Sequence, residues 1–160
     1  MTVDDGHWSP LRTDEGTRFT EDGFRLGNAN WTDVYFDIEL TKPCSIEFNV
    51  PGYDCSSQPV SLGYLWNSTK TNRLIHTLLN NFAGVNKISL EEYPTESYMT
   101  YTLPKGGLVR FEIKEDIIEL YVNNNLIKSK SYSMPSSWVY GLVCAGSRYI
   151  YVKNMKIKPL

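Results

Sequence analysis

The sequence predicts an all-β domain, either an antiparallel two-sheet β-sandwich or a barrel, from three observations. The 160 residues hold eleven Tyr, six Phe and four Trp but very little Ala, a composition that favours strands over helices. Apolar and polar residues alternate along much of the chain, and no segment keeps the apolar period of about 3.6 residues that marks a helix. Turn signals recur roughly every eight to twelve residues, which is typical of sandwiches and barrels.

The length predicts one domain, at residues 17–160, after a polar segment at residues 1–16 that we interpret as a tail or linker. The first residues carry no apolar run of the signal-peptide type, and no run approaches the ~20 residues of a membrane-spanning helix. We therefore expect no membrane insertion.

The early elements follow from alternation and turn chemistry. A small hairpin is predicted at residues 17–27, where an acidic pair followed by Gly23 favours a turn. Residues 80–86 are predicted to be a turn. Strands are predicted in order at residues 33–41, 44–50, 60–66, 73–79, 87–91 and 98–103.

Residues 106–132 predict a three-stranded meander around which the domain is organised. Val109, Phe111 and Ile113 alternate with charged residues, as in a strand with one buried face. A turn is predicted at residues 115–116, and a second at residues 123–125, because asparagine tolerates positive φ. Strands at residues 138–144 and 149–157 are predicted to end the chain.

The charges are unevenly distributed although the formal net charge is only −2. Residues 1–40 hold nine acids and three bases, whereas the chain after Glu119 holds bases alone. These are Lys128, Lys130, Arg148, Lys153, Lys156 and Lys158. A basic tract of this kind suits a polyanionic partner, but we favour the interpretation that the first and last strands lie together with complementary charges. We expect no nucleic-acid partner, since the net charge is slightly negative.

The three cysteines do not make a complete disulfide framework. Cys44 and Cys55 flank a Pro-Gly turn and are candidates for pairing. Cys144 lies in a strand-like run and is predicted to be a buried thiol.

Residues 17–160 resemble the concanavalin A-like, or laminin G-like, jelly-roll domains. Three segments carry the resemblance: WTDVYFDIEL at residues 31–40, the hairpin at residues 108–127, and the closing strands at residues 140–143 and 149–157. The resemblance implies a jelly-roll sandwich whose final strand pairs near the first. The superfamily includes lectins, carbohydrate-binding modules, adhesion domains, phage tail modules and glycoside hydrolases, so the fold does not choose among these functions.

A sugar-binding surface is the first candidate site. Sugar rings stack on exposed aromatic rings and are held by directional hydrogen bonds. Tyr64 and Trp66 share one strand face, and the next predicted strand offers Arg73 and His76 opposite them. We predict that the ligand-binding residues are Tyr64, Trp66, Arg73, His76, Tyr35, Asp37 and Tyr121. The alternative is that most of these aromatic residues are core or rim packing.

A catalytic site is the second candidate. Asp37 and Glu39 are two apart on one strand and project to the same face. Hydrolases of the superfamily use a Glu-x-Asp-x-(x)-Glu strand, but Tyr35 replaces the first Glu here. A retaining glycosidase needs two carboxyls about 5–5.5 Å apart. With the motif broken, we predict a solvated strand face and no catalytic residue.

A metal site is the third candidate, since jelly-roll lectins often hold Ca²⁺ in acidic loops. The pairs Asp4-Asp5, Asp14-Glu15 and Glu21-Asp22 offer oxygen donors, but none matches a recognised calcium loop. We expect no cofactor, with Ca²⁺ at these acids as the alternative.

We therefore expect a non-catalytic module that binds carbohydrate or a cell-surface glycan, as in a phage tail protein or a surface adhesin. An extracellular, cell-surface or virion location goes with that expectation. The alternative is a structural or protein-interaction module that forms a homo-oligomer or joins a larger assembly. A divergent glycoside hydrolase is the third interpretation.

Overall fold

The computed structural model describes residues 8–10, 18–20, 23–26, 32–36, 40–54, 60–67, 69, 72–82, 85–93, 101, 103–144 and 149–160. These residues form sixteen strands and no helix. The strands are β1 (Trp8–Pro10), β2 (Arg18–Thr20), β3 (Gly23–Leu26), β4 (Thr32–Phe36), β5 (Leu40–Thr41), β6 (Cys44–Val50), β7 (Tyr53–Asp54), β8 (Val60–Asn67), β9 (Arg73–Phe82), β10 (Val85–Ile88), β11 (Glu91–Glu92), β12 (Gly107–Ile113), β13 (Ile117–Val122), β14 (Asn125–Ser131), β15 (Ser137–Cys144) and β16 (Tyr149–Pro159).

The strands form two antiparallel sheets. The first sheet has the order β1-β4-β15-β8-β9-β10, with β5 paired to β15 and β11 paired to β9. The second sheet has the order β14-β13-β12-β6-β16-β3-β2, with β7 paired to β16. The last strand pairs with β3 near the start of the chain, as the jelly-roll resemblance implied. The all-β sandwich predicted from the sequence is confirmed.

Apolar residues from both sheets meet in one core. The rings of Phe48 and Phe111 from the second sheet lie 6.3 and 6.2 Å from the ring of Tyr140 in the first. The Tyr140 hydroxyl donates a hydrogen bond to the Leu62 carbonyl, which satisfies its polar atom within the core. Burial raises the pKa of Tyr140 well above its usual value, so the phenol stays neutral.

The central meander is formed as predicted. Asn123 and Asn124 both have positive φ, at 50° and 66°, which is the two-residue hairpin geometry that matches the twist of its strands. The Asn123 side-chain oxygen accepts a hydrogen bond of 2.9 Å from the Leu108 backbone amide. The Asn123 backbone amide donates a hydrogen bond of 2.8 Å to the Leu108 carbonyl. The turn residues therefore also anchor the start of β12.

Several predicted boundaries differ from the structure. The turn predicted at residues 80–86 is mostly strand, since Asn86 pairs with Asn81 and Lys87 pairs with Asn80. The prediction was wrong because the polar composition of this hairpin resembles that of a turn. The tail predicted at residues 1–16 contains β1, which pairs with β4. In the strand predicted at residues 98–103, residues 98–100 and 102 lie outside the described part of the chain, and Leu103 is buried but not in a strand.

Cys44 is a free thiol, 5% exposed, at the start of β6. Burial raises the pKa of this thiol to about 11. Cys55, its expected partner, lies outside the described residues, and Cys144 is described as part of β15. Within the described ranges, no helix long and apolar enough to cross a membrane is found.

Candidate ligand-binding face

A row of paired positions crosses the first sheet. Tyr35 in β4 is opposite Gly141 in β15, which is opposite Tyr64 in β8. Tyr64 is opposite His76 in β9, and His76 is opposite Glu91 in β11. Directly paired residues of neighbouring strands lie on the same face of a sheet. The positions from Tyr35 to His76 therefore share one face across four strands, and Glu91 continues the register at the edge of the sheet.

The position of the core shows which face this is. The adjacent row is Tyr140, Leu65 and Ile75, and all three side chains belong to the buried core. Successive residues of a strand point to opposite faces. The row that contains Tyr64 and His76 therefore lies on the face turned away from the core, which we call the outer face of the first sheet.

An irregularity in β9 adds Arg73 to this neighbourhood. Leu65 pairs with Ile75, but Trp66 pairs with Arg73, so Leu74 has no direct partner in β8. A bulge of this kind redirects the residues beside it. We predicted that Tyr64 and Trp66 lie opposite the strand that carries Arg73 and His76. The register agrees, with Tyr64 opposite His76 and Trp66 opposite Arg73.

His76, Arg73 and Tyr93 form a cluster. The His76 ring is 1% exposed and meets the Tyr93 ring edge-to-face, with 5.6 Å between centroids and 83° between planes. The Arg73 guanidinium carbon lies 5.5 Å from the Tyr93 ring centroid. The Tyr93 amide donates a 3.0 Å hydrogen bond to the Leu74 carbonyl, which holds the turn after β11 against β9. Tyr93 itself is 44% exposed.

Tyr93 is the residue that sequence reasoning missed. It follows a two-residue strand and precedes Pro94, so it belongs to no alternating pattern that would assign it to a face. Its only sequence signal is an aromatic residue beside a proline, between the strands predicted at residues 87–91 and 98–103. Its contacts with His76 and Arg73 arise from the pairing of β11 with β9.

Glu91 at the end of the row is engaged by the second sheet. Its carboxylate oxygens lie 3.3 Å from the Lys128 ammonium and 3.4 Å from the Lys130 ammonium. Glu91 is 8% exposed, so its charge is balanced within the protein and held away from water. Its role in the described contacts is to join the two sheets.

Tyr121 lies apart from this row. It belongs to β13 in the second sheet and alternates with the buried residues Leu120 and Val122, so it lies on the outer face of that sheet. The Arg110 guanidinium carbon is 4.3 Å from the Tyr121 ring centroid, and Arg110 Nε donates a 2.9 Å hydrogen bond to Glu112. The fold does not bring Tyr121 to the other predicted residues.

The remaining candidates divide by position. Tyr35, Tyr64 and Trp66 occupy the register positions given above, while Asp37 and Glu39 lie outside the described residues. The candidate calcium donors at residues 4–5, 14–15 and 21–22 also lie outside them. Among the residues that the structure describes, no three His, Cys, Asp or Glu side chains are grouped to hold a metal ion.

No protein-family model matches the chain, and no curated protein matches its sequence. Solved structures do match its fold. The carbohydrate-binding module CBM66 from Bacillus subtilis is 13% identical, with a TM-score of 0.67, over 95% of both chains. The Emp47p carbohydrate recognition domain is 12% identical, with a TM-score of 0.72, over 99% of this chain and 90% of that one.

An enzyme shares the same architecture. The Crh5 transglycosylase, solved in complex with NAG, is 10% identical, with a TM-score of 0.75, over 99% of this chain and 83% of that one. At these identities the likeness shows the fold alone, and the matches include both binding modules and enzymes. The two sheets, their strand order and these matches show that the chain has the antiparallel jelly-roll sandwich fold that these structures share.

Proposed function

We propose that this domain is a non-catalytic glycan-binding module whose ligand lies on the outer face of the first sheet. The observation that carries the proposal is the cluster of Tyr93, Arg73 and His76 beside the row of Tyr35 and Tyr64. It combines an aromatic ring that is 44% exposed with a guanidinium group next to it. These are the two chemical elements of sugar recognition, an apolar surface for C–H groups and directional donors for hydroxyls.

Each residue of the cluster has a distinct role in the proposal. The Tyr93 ring stacks on a sugar ring, and Arg73 donates hydrogen bonds to the sugar oxygens. His76 is 1% exposed, so it acts by fixing the orientation of Tyr93 and not by contacting the ligand. A ring held in place before binding loses less conformational entropy when the sugar arrives.

The comparisons support a carbohydrate partner and leave catalysis as the competing class. CBM66 and the Emp47p domain are named for carbohydrate binding or recognition, whereas Crh5 is a transglycosylase. We favour binding because Tyr35 stands where the hydrolase motif has its first carboxylate. We further propose attachment to a cell surface or polysaccharide, in an extracellular or virion setting, as the role of such a module.

A glycan-array screen of the purified, folded domain tests the proposal, run with and without Ca²⁺. A specific hit is expected, and its dependence on Ca²⁺ would show whether the ion takes part. A blank array would overturn the proposal and favour a structural or protein-interaction module. Release of new reducing ends from a bound glycan would overturn its non-catalytic part.

A further inference from the structure

Basic and aromatic residues lie along the outward side of the last strand, β16, which belongs to the second sheet. Tyr149, Tyr151 and Lys153 alternate with the buried residues Ile150 and Val152, so they lie on the outer face of the second sheet. The tyrosines are half-buried, and Lys153 is exposed. We call Tyr149, Tyr151, Lys153, Lys156 and Lys158 the β16 strip.

A bulge at Asn154 keeps the whole strip on one face. Asn154 has a φ of 59°, and the register steps from Lys153 opposite Asn49 to Lys156 opposite Glu47. Three residue steps along β16 therefore correspond to two steps along β6, so β16 contains one extra residue at this point. Without this extra residue, strict alternation would place Met155 outward after Lys153.

The bulge instead buries apolar residues and exposes lysines. Met155 and Ile157 are 4% and 6% exposed and belong to the core, while Lys156 and Lys158 are exposed. Residues two apart along a strand are separated by roughly 6.6–6.8 Å. Lys156 and Lys158 thus present two ammonium groups in line with Lys153 and the tyrosines.

The register shows which charged positions flank β16. Arg25 in β3 is opposite Tyr151, and Arg18 in β2 is opposite Arg25. On the other side, Glu47 is opposite Lys156, but the Glu47 carboxylate also lies 3.9 Å from Arg110. Asp54 is opposite Tyr149 at the other end of the strip. The three lysines of β16 therefore outnumber the two carboxylate positions paired with it.

We propose that the β16 strip is a second binding surface, for a linear sulfated or carboxylated polysaccharide that lies along the strand. Exposed lysines in line suit a chain of repeated anions, and they attract it locally although the whole protein has a net charge of −2. The proposal is independent of the outer face of the first sheet, because the strip lies on the other sheet.

The two tyrosines favour a polysaccharide over single-stranded nucleic acid. Their rings meet edge-to-face, with 5.6 Å between centroids and 72° between planes. Successive bases of a single strand stack on aromatic faces that are open to them. Two half-buried rings that cover one another in this way make a poor platform for successive bases, whereas ionic contacts from Lys156 and Lys158 need no stacking.

The test measures binding of the full chain to dextran sulfate, unmodified dextran and oligothymidylate at about 0.05 M and about 0.3 M salt. We expect binding to dextran sulfate alone, weaker at the higher salt. The Lys156→Gln/Lys158→Gln double variant should bind dextran sulfate about tenfold more weakly. Lys105→Gln, which removes a charge from an exposed turn outside the strip, is the control for each single lysine variant and should bind as the native protein does.

Thermal unfolding of each variant shows whether it is folded, and the single variants Lys156→Gln and Lys158→Gln provide the comparison if the double variant is not. Unchanged binding in the lysine variants would overturn the proposal, as would equal loss in Lys105→Gln. Absence of binding to dextran sulfate would overturn it too. Tighter binding to oligothymidylate would assign the strip to nucleic acid instead.

Discussion

The Lys130 ammonium of β14 lies 3.4 Å from the Glu91 carboxylate of β11, so an ion pair joins edge strands of the two sheets. Lys130 and Lys128 are paired with Ile118 and Leu120, whose side chains are in the core, so both lysines lie on the inward face of their sheet. Inward-pointing charges on an edge strand also oppose the addition of a further strand. The pair therefore closes one side of the sandwich and protects its edge.

Glu91→Gln is expected to lower the free energy of unfolding by about 1–3 kcal/mol, because it removes the carboxylate nearest to two partly buried ammonium groups and leaves Lys130 with Glu92 at 3.9 Å. Urea unfolding measures the change. Glu115→Gln is the control, since Glu115 pairs with Lys42 at 3.5 Å with a side chain that is 72% exposed. It should cost less than about 1 kcal/mol. Equal effects of the two substitutions would contradict a stabilising role for Glu91.

Gly63→Ala is expected to destabilise the domain by about 1–3 kcal/mol through overpacking. A Cβ at this position would lie 2.6 Å from Tyr140 Cε2, and the Tyr140 ring is fixed in the core. Gly52→Ala is the matched control, because its Cβ would meet Tyr151 at an ordinary 3.6 Å. Urea midpoints of the two variants test the prediction, and it fails if Gly63→Ala is no less stable than Gly52→Ala.

Tyr93→Ala is expected to weaken glycan binding about tenfold, roughly 1.4 kcal/mol, once an array has identified the ligand. The reason is loss of the exposed ring beside Arg73. Tyr121→Ala removes a ring from the other sheet and should leave affinity unchanged. Isothermal titration calorimetry measures the glycan affinity of both variants. A loss only in Tyr121→Ala would move the site to the second sheet.

Trp66→Ala is expected to weaken binding of the same glycan while the protein stays folded. Trp66 is opposite Arg73 in the register, so its position belongs to the proposed face. Circular dichroism and titration are measured on the same sample. Unchanged affinity in a folded variant would show that Trp66 is outside the site, and unfolding would show that the residue is part of the core.

The Cys44 thiol is expected to resist alkylation in the folded protein at pH 8. Burial raises its pKa from 9.0 to about 11, and the reactive species is the thiolate. The folded state holds this proton more tightly than the unfolded chain, so the thiol's contribution to stability decreases as pH rises from about 9 towards 11. Iodoacetamide labelling, followed by mass spectrometry of the Cys44 peptide with and without urea, tests this. Rapid labelling without urea would contradict it.

The sequence by itself determined the local structure of this domain. Val109, Phe111 and Ile113 alternate with charged residues, and that alternation correctly predicted a strand with one buried face. Asn123 and Asn124 correctly predicted a turn with positive φ. These features depend on neighbours in the chain, so they can be inferred without knowledge of the sheets. The expectation that Tyr64 and Trp66 share a strand face opposite His76 and Arg73 also depended on a single hairpin.

Only the tertiary structure decided which of these local surfaces meet. Tyr121 looked equivalent to Tyr64 in sequence, but β13 and β8 belong to different sheets. Tyr93 joined His76 because β11 pairs with β9, and Lys156 rather than Met155 faces outward because of the bulge at Asn154. The physical reason is that strand pairing is non-local. A shift of one residue in the strand pairing moves every following side chain to the opposite face of the sheet. The alternation of apolar and polar residues does not show where an extra residue is inserted.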